Sequence, residues 1–274
     1  MLTQILKNVK ENTPLVHCIT NYVTVNDCAN ALLAWGGSPI MADDVNEVEE
    51  ITTICSSLYI NIGTLNERTI ASMLKAGKKA CELGHPIVLD PVGAGASSMR
   101  TKAAFDLLDQ VGFTVIRGNI SEIKTIASGA GSTKGVDADI SDQVTEENLD
   151  ATVAFAKKLS EKTKSIIVIT GAIDIVADHQ KSYIIRNGNA LMSKITGTGC
   201  MLTALIAASA AANPERPLDA AAATVCSMGI CGELAYDRIQ KEGKGTSSYR
   251  TYLIDCLSQI TEELFKEGAK IEIK

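Results

Sequence analysis

The sequence predicts an α/β fold in which helices cover both faces of a mostly parallel central sheet. Four short β-branched runs, at residues 58–62, 86–90, 113–117 and 165–170, are apolar at consecutive positions. Strands covered on both faces require that pattern. Longer helical patterns alternate with these runs, and a βαβα alternation implies parallel strands joined by right-handed crossovers. Aromatics make up only 4% of the chain, with one Trp, which speaks against a β-sandwich or a carbohydrate-stacking surface.

Taken in order, the helix candidates between the strands are residues 66–83, 101–110, 121–127 and 146–162. Residues 173–176 and 183–185 flank a short polar turn, which predicts a hairpin closing one sheet edge. After Gly199 the pattern becomes wholly helical. Residues 200–212 form an apolar helix stopped by Asn213-Pro214. Pro217 opens a second helix at a favourable first-turn position, which runs to about residue 241 and is rich in small residues. A glycine- and serine-rich loop at 244–248 then leads to a final amphipathic helix at 249–266. A length of 274 residues allows one or two domains at roughly 150 residues each. With no Pro- or charge-rich linker and no repeat, the expectation is a single domain over residues 1–274, without a separate lid. The most flexible-looking stretch is 128–135.

Apolar residues are 46% and charged residues 21%, an ordinary globular balance that excludes wholesale disorder. Lys plus Arg is 26 against Asp plus Glu at 32, a net charge of −6 with a pI near 5.2. That sign argues against nucleic-acid and anionic-membrane surfaces while leaving room for a local phosphate pocket. The eight cysteines show no C-x-x-C spacing and read as reduced thiols. Lys7, Lys10 and Glu11 interrupt any signal-peptide core, and the apolar stretch 201–212 is too short to span a bilayer. A soluble, cytoplasmic protein is expected.

In open α/β sheets, ligands bind outside the carboxyl ends of the strands. Three such ends carry chemistry: Asp90-Pro-Val-Gly-Ala-Gly-Ala-Ser97, Arg117-Gly-Asn119 followed by Glu122, and Thr170-Gly171. Asp90 and Glu122 on neighbouring strand ends could serve Mg²⁺, which takes few protein oxygens and otherwise water and phosphate. From these two residues alone, a loop cap and a helix-start residue are the plainer account. The strongest single motif is Lys194-Ile-Thr-Gly-Thr-Gly-Cys200 before an apolar helix. There Gly197, Thr198 and Gly199 present backbone N–H groups as an anion hole. Glycine and threonine also start many helices for capping reasons alone. Neither the dinucleotide fingerprint nor a Walker A loop is present, so any nucleotide site follows another design.

Six motifs occur together and in order: Asn61-Ile-Gly-Thr-Leu65, Asp90-Pro-Val-Gly-Ala-Gly95, Ile116-Arg-Gly-Asn119 with Glu122, Lys134-Gly-Val-Asp-Ala138, Ile169-Thr-Gly171 and Thr196-Gly-Thr-Gly-Cys200. With these motifs, and with Val16-His17, Ile19-Thr-Asn21 and Ser38-Pro-Ile-Met-Ala42 upstream, the chain resembles the hydroxyethylthiazole kinases of the ribokinase-like superfamily. The resemblance spans roughly residues 14–256 and implies a ribokinase-like fold. It also implies ATP-dependent phosphorylation of the primary alcohol of 4-methyl-5-(2-hydroxyethyl)thiazole in thiamin salvage. By the same resemblance, Met41, Gly197 and Asn21 would contact the thiazole alcohol. Arg117, Thr170 and Asn119 would hold ATP, and Asp90 with Glu122 would organise Mg²⁺. A homotrimer with its substrate pocket at subunit interfaces is implied as well.

Cys200 stands where related sugar and vitamin kinases place an Asp general base. A free thiol titrates at about 8.5 and lower at a helix N-terminus, and phosphoryl transfer is accelerated mainly by positioning and charge stabilisation. Cys200 is therefore expected to orient the hydroxyl and take its proton late, while the other seven cysteines read as packing. His17 reads as a hydrogen-bonded structural residue, His85 and His179 as solvated, and Glu47, Glu49 and Glu50 as an exposed helix face. Two departures from the usual family pattern are Ala172, where Glu is common, and the Gly243-Lys-Gly-Thr-Ser247 stretch. The competing expectations are a same-fold kinase of another small alcohol, such as a hydroxymethylpyrimidine, and a non-catalytic nucleotide- or thiazole-binding protein.

Overall fold

The computed structural model describes residues 2–128 and 143–274. The Lys134–Ala138 motif lies outside the described residues, as does the stretch expected to be flexible beyond Ser128. Strands β1 (Leu15–Ile19) and β2 (Ser38–Met41) come first, followed by β3 (Ser57–Asn61), β4 (Ile87–Asp90), β5 (Val115–Asn119) and β6 (Ile166–Thr170). The hairpin β7 (Asp174–Ala177) and β8 (Ser182–Ile185), with the C-terminal strand β9 (Ile271–Ile273), completes a single sheet in the order β2-β1-β3-β4-β5-β6-β7-β8-β9. The first six strands run parallel and the last three antiparallel.

Helices α1 (Thr3–Asn12), α2 (Val25–Trp35) and α3 (Val48–Ile54) precede α4 (Glu67–Leu83), α5 (Ser98–Gln110), α6 (Ile120–Ser128) and α7 (Leu149–Thr163). Then come α8 (Thr198–Ala212), α9 (Pro217–Glu242), α10 (Thr246–Gln259) and α11 (Glu262–Gly268). Local chemistry sets several boundaries. The Asn66 and Thr69 side chains cap α4 reciprocally, and Gly84 ends it at φ +70°; the Ser97 hydroxyl caps α5. Such caps satisfy backbone groups that the helix itself leaves unpaired.

Alternate residues of each central strand enter opposite cores. Tyr59, Val88, Val115 and Val168 join α1, α2, α8, α9 and α10 on one side. Leu58, Ile60, Leu89, Ile116 and Ile167 meet α4 to α7 on the other. Period-two alternation with both faces apolar is what makes these strands read as continuous hydrophobic runs. Helix α8 is buried nearly all round from Cys200 to Ala210, between α9 and the sheet. A Leu205→Ala change there would cost roughly 2–5 kcal/mol.

The structure departs from the expected elements toward the C-terminus. The final helix divides in two: Ile260 is extended and 1% exposed, and the Thr261 hydroxyl accepts the Leu264 N–H to start α11. The preceding loop is shorter than expected, because Gly243 closes α9 at φ +63° and α10 already begins at Thr246. Helix α9 is long and apolar enough to cross a membrane, yet 83% of its most apolar window is buried inside the protein. It is a core helix.

Candidate active site

The carboxyl ends of β3, β4, β5 and β6 meet the start of α8, so chemistry separated by up to 179 residues in sequence converges there. Asp90, the last residue of β4, is fully buried. Its Oδ2 accepts hydrogen bonds from Thr203 Oγ1 at 2.9 Å and Asn61 Nδ2 at 3.1 Å, and lies 3.5 Å from Arg117 Nη1. Its Oδ1 is buried with no partner among the described residues. Burial lifts the Asp90 carboxyl above its ordinary range, against the pull of Arg117.

Arg117 crosses the strand ends between Asp90 and Thr170, donating from Nη2 to Thr170 Oγ1 at 2.5 Å. Its side chain is only 13% exposed. Glu122 stitches two segments together: Oε1 accepts the Gly93 N–H at 2.7 Å and Oε2 the Asn119 N–H at 2.8 Å. Asn119 Oδ1 in turn accepts the Glu122 N–H at 2.9 Å. This is a reciprocal cap on α6, so the plainer account of Glu122 holds as far as it goes. Burial, and then the Asp90 charge, push the Glu122 carboxyl up to about 7. When both are ionised, these two buried carboxylates facing one guanidinium carry excess negative charge with one oxygen open among the described residues, a donor set that suits a hard cation completing its shell with water and phosphate.

Gly197 precedes α8 at φ +88°, and among the described residues no side chain caps the helix. The first helical hydrogen bond runs from the Met201 N–H to the Gly197 carbonyl, so the N–H groups of Thr198, Gly199 and Cys200 are left by helix geometry for a ligand. Gly197 is held at a positive φ against Thr24, and Gly199 packs against the Arg117 guanidinium. A Cβ on Gly197 would meet Thr24 Cγ2 at 2.6 Å, and one on Gly199 would meet Arg117 Nη1 at 2.2 Å.

Cys200 is buried at 9% exposure. Its sulfur lies 3.3 Å from both Asn21 Nδ2 and Asn61 Nδ2. Burial and the Asp90 charge push the thiol up, outweighing Thr24, Asn21 and Arg117. That reverses the lowering expected from the helix start alone, because desolvation of the anion exceeds the helix-end effect. Met41 ends the edge strand β2, at the same carboxyl edge of the sheet, and packs against the apolar core rather than the polar network.

The remaining candidates sort by environment. His17 is fully buried, with Nδ1 2.9 Å from Thr52 Oγ1 and Nε2 2.9 Å from the Ala42 carbonyl, the structural role expected of it. His179 is exposed, but His85 is half-buried against the Thr52 backbone and burial pushes it down. Glu47, just before α3, and Glu50 on it are exposed, and Glu49 pairs with Lys75 at 2.8 Å. Cys226 and Cys231 lie in the core.

The model of the hydroxyethylthiazole kinase family matches residues 6–263. The chain belongs to that family. It is 60% identical to a hydroxyethylthiazole kinase of Clostridium acetobutylicum over 99% of each chain. It is 40% identical to one of Methanobrevibacter smithii, over 99% of this chain and 96% of that one. The solved hydroxyethylthiazole kinase of Pyrococcus horikoshii OT3 aligns at 36% identity with a TM-score of 0.88, covering 100% of this chain and 98% of that one. A ribokinase-like superfamily protein of Enterococcus faecalis V583 shares the fold at 13% identity and a TM-score of 0.60, with 95% of each chain covered. The ribokinase-like α/β fold read from the sequence is thus the fold of this hydroxyethylthiazole kinase family member.

Sequence reasoning missed three members of the network: Asn61, Thr203, and Tyr59, whose Oη accepts an Asn61 amide hydrogen at 2.8 Å. Thr203 had a signal, since it stands one helical turn after Gly199 as one of the few hydroxyl side chains in an apolar helix. Asn61 had one too, as a polar residue ending a buried strand beside Asp90.

Proposed function

We propose that this chain transfers the γ-phosphoryl group of ATP to the primary hydroxyl of 4-methyl-5-(2-hydroxyethyl)thiazole, giving the phosphate ester and ADP for thiamin salvage. The observation that carries this is the convergence of Cys200, Asp90 and Arg117 on the uncapped start of α8. Named relatives at up to 60% identity support the substrate.

In this reading Arg117 and Thr170 hold ATP phosphates, with Asn119 beside them, and the N–H groups of Thr198, Gly199 and Cys200 receive the charge that spreads over the transferring oxygens. Gly197, Asn21 and Met41 line the thiazole alcohol side. Asp90 through its open Oδ1, with Glu122 behind it, would hold Mg²⁺, which when bound neutralises phosphate charge. Cys200 orients the hydroxyl and accepts its proton late, as the oxygen bonds to phosphorus. Because the thiol sits high, only a fraction is ionised at neutral pH. Positioning and the anion hole supply most of the acceleration.

Transfer needs cover from water. Tyr22 and Val23, next to Asn21, are 78% and 57% exposed, which supports a homotrimer whose neighbouring subunit closes the pocket. The single sheet supports one catalytic domain over residues 1–274, and reduced thiols support a cytoplasmic setting. The deciding assay follows ATP consumption with Mg²⁺ and hydroxyethylthiazole, then with hydroxymethylpyrimidine. Turnover confined to the thiazole is expected. Turnover only with the pyrimidine would reassign the substrate, and binding without turnover of either would overturn the kinase reading.

A further inference from the structure

The Asn61-Ile-Gly-Thr-Leu65 motif has no role in the chemistry described so far, yet Asn61 stands at its centre. It ends β3 opposite Asp90 on β4 and is 1% exposed. Its carboxamide is oriented from one side. Oδ1 accepts the Gly63 N–H at 2.9 Å and a hydrogen of Asn21 Nδ2 at 3.0 Å. Flipping the amide would set its NH₂ against two donors, so the orientation follows from its partners.

Nδ2 is thereby turned toward three acceptors: Tyr59 Oη at 2.8 Å, Asp90 Oδ2 at 3.1 Å and Cys200 Sγ at 3.3 Å. An amide nitrogen carries two hydrogens. One acceptor of the three therefore goes without at any moment. Tyr59 Oη is also reached by Thr20 Oγ1 at 3.4 Å, and Asp90 Oδ2 by Thr203 and Arg117. Cys200 Sγ is reached by Asn21 Nδ2 as well, at 3.3 Å, so each of the three can release an Asn61 hydrogen without being stranded. An anionic sulfur has the strongest claim on it, since hydrogen bonds to charged groups are the stronger ones.

We propose that Asn61 is a positioning residue for the transfer, its NH₂ holding the Cys200 sulfur beside Asp90 and supplying a hydrogen bond to the sulfur while it is anionic. This rests on the kinase reading above. The substrate hydroxyl proton moves to Sγ, the hydroxyl oxygen bonds to the γ-phosphorus, and the bridging oxygen of the leaving ADP departs with its electron pair. Asn61 keeps both hydrogens throughout. It only redirects one, from the sulfur back to Tyr59 or Asp90, once the sulfur is protonated.

Asn61→Asp preserves shape and puts an oxygen where the shared NH₂ stands. Two readouts are needed: steady-state kinetics, and the rate at which iodoacetamide alkylates Cys200, followed on the Cys200 peptide so that exposed Cys81 does not contribute. We expect kcat to fall about 30-fold, the size of a lost hydrogen bond to an ionised group, with both KM values within about threefold. Alkylation of Cys200 should slow about tenfold near pH 8 as the sulfur loses one of its two amide donors, Asn21 Nδ2 remaining. A folded variant with wild-type kcat, a loss confined to KM, or unchanged alkylation would each overturn the proposal. Should Asn61→Asp fail to fold, Asn61→Ser, which adds no charge and whose hydroxyl is too short to reach the sulfur, decides with the same two readouts and the same signs. Absence of thiazole turnover in the wild type would remove the kinase reading, while the alkylation comparison would still decide whether Asn61 supplies the sulfur.

Discussion

Gly199 lies directly against the Arg117 guanidinium, so that a Cβ built on Gly199 would stand 2.2 Å from Nη1. The start of α8 and the end of β5 are thus fitted together at a position where a methyl group would force the guanidinium to shift. Arg117 is the movable partner, but it spans Asp90 and Thr170 and cannot move without leaving one of them. Gly199→Ala is therefore expected to give a folded protein, destabilised by about 1–3 kcal/mol, with Arg117 displaced from the phosphate position. Kinetics should show kcat reduced about 100-fold, the scale of a misplaced charge-stabilising group. A Gly199→Ala enzyme with unaltered kcat would remove Arg117 from the phosphate site.

Cys200 carries a prediction with a sign. Burial and the Asp90 charge push its thiol up, and the thiolate is the form able to take a proton. The rate should therefore climb with pH, about tenfold per unit below the thiol pKa, and still be rising where an ordinary thiol would have levelled. Cys200→Asp introduces a base that ionises far lower, so its profile should be flatter and its neutral-pH kcat higher than wild type. Cys200→Ala should keep only the turnover that positioning and the anion hole supply. Wild-type profiles in both variants would exclude Cys200 from the mechanism.

The parts of the fold that could be read from sequence were those where one physical signal dominates. Strands β3 to β6 are covered on both faces, and their unbroken apolarity announces them. Strand β1 was not recognised because His17 interrupts its run, and its two ring nitrogens are satisfied only by Thr52 and Ala42, which are distant in sequence. Strand β2 carries Pro39, which is tolerated because the strand lies at the sheet edge. The break at Ile260 hides inside a continuing amphipathic pattern, and its only local cue is Thr261 before Glu262 and Glu263. The candidate site divides the same way. Asp90, Arg117 and the Gly197–Cys200 segment stand at strand ends or a helix start, where topology directs attention. Asn61 and Thr203 matter through the atoms they reach, so a strand end and a helical-turn spacing can mark them as polar in apolar surroundings without naming their partners.

Thr203 gives a test of how Asp90 is held. Its hydroxyl lies 2.9 Å from Asp90 Oδ2 and 2.9 Å from the Gly199 carbonyl, so one side chain ties the carboxylate to the first turn of α8. Thr203→Val keeps the shape and removes the hydroxyl. The buried carboxylate then loses a charge-assisted donor, a loss of about 1.5–3 kcal/mol. Both the chemical denaturation midpoint and kcat should fall, with KM for the thiazole unchanged. A fall in stability without any fall in kcat would mean that Asp90 needs no fixing from the α8 side.

Asp174 starts β7 beside the end of β6, where its Oδ1 accepts the Gly171 N–H at 2.9 Å. Burial lifts this carboxyl to about 7, against the opposing pull of that N–H group and of Arg117. An unfolded Asp titrates at about 3.9, so between about pH 4 and about pH 7 the folded chain holds a proton that the unfolded chain has released. The native state therefore gains relative stability at the acid end of that window, and the gain is lost as pH rises through about 7. Asp174→Asn keeps an acceptor for Gly171 but cannot titrate. The stability of the wild type relative to Asp174→Asn is thus expected to fall from about pH 4 to about pH 8, by an amount on the order of 2 kcal/mol once solvent near the partly buried side chain is allowed for. Urea midpoints of the two proteins across that range provide the measurement. Midpoints that stay parallel would mean that Asp174 ionises in the folded protein as readily as in the unfolded chain, and that burial does not govern the Thr170–Gly171 turn.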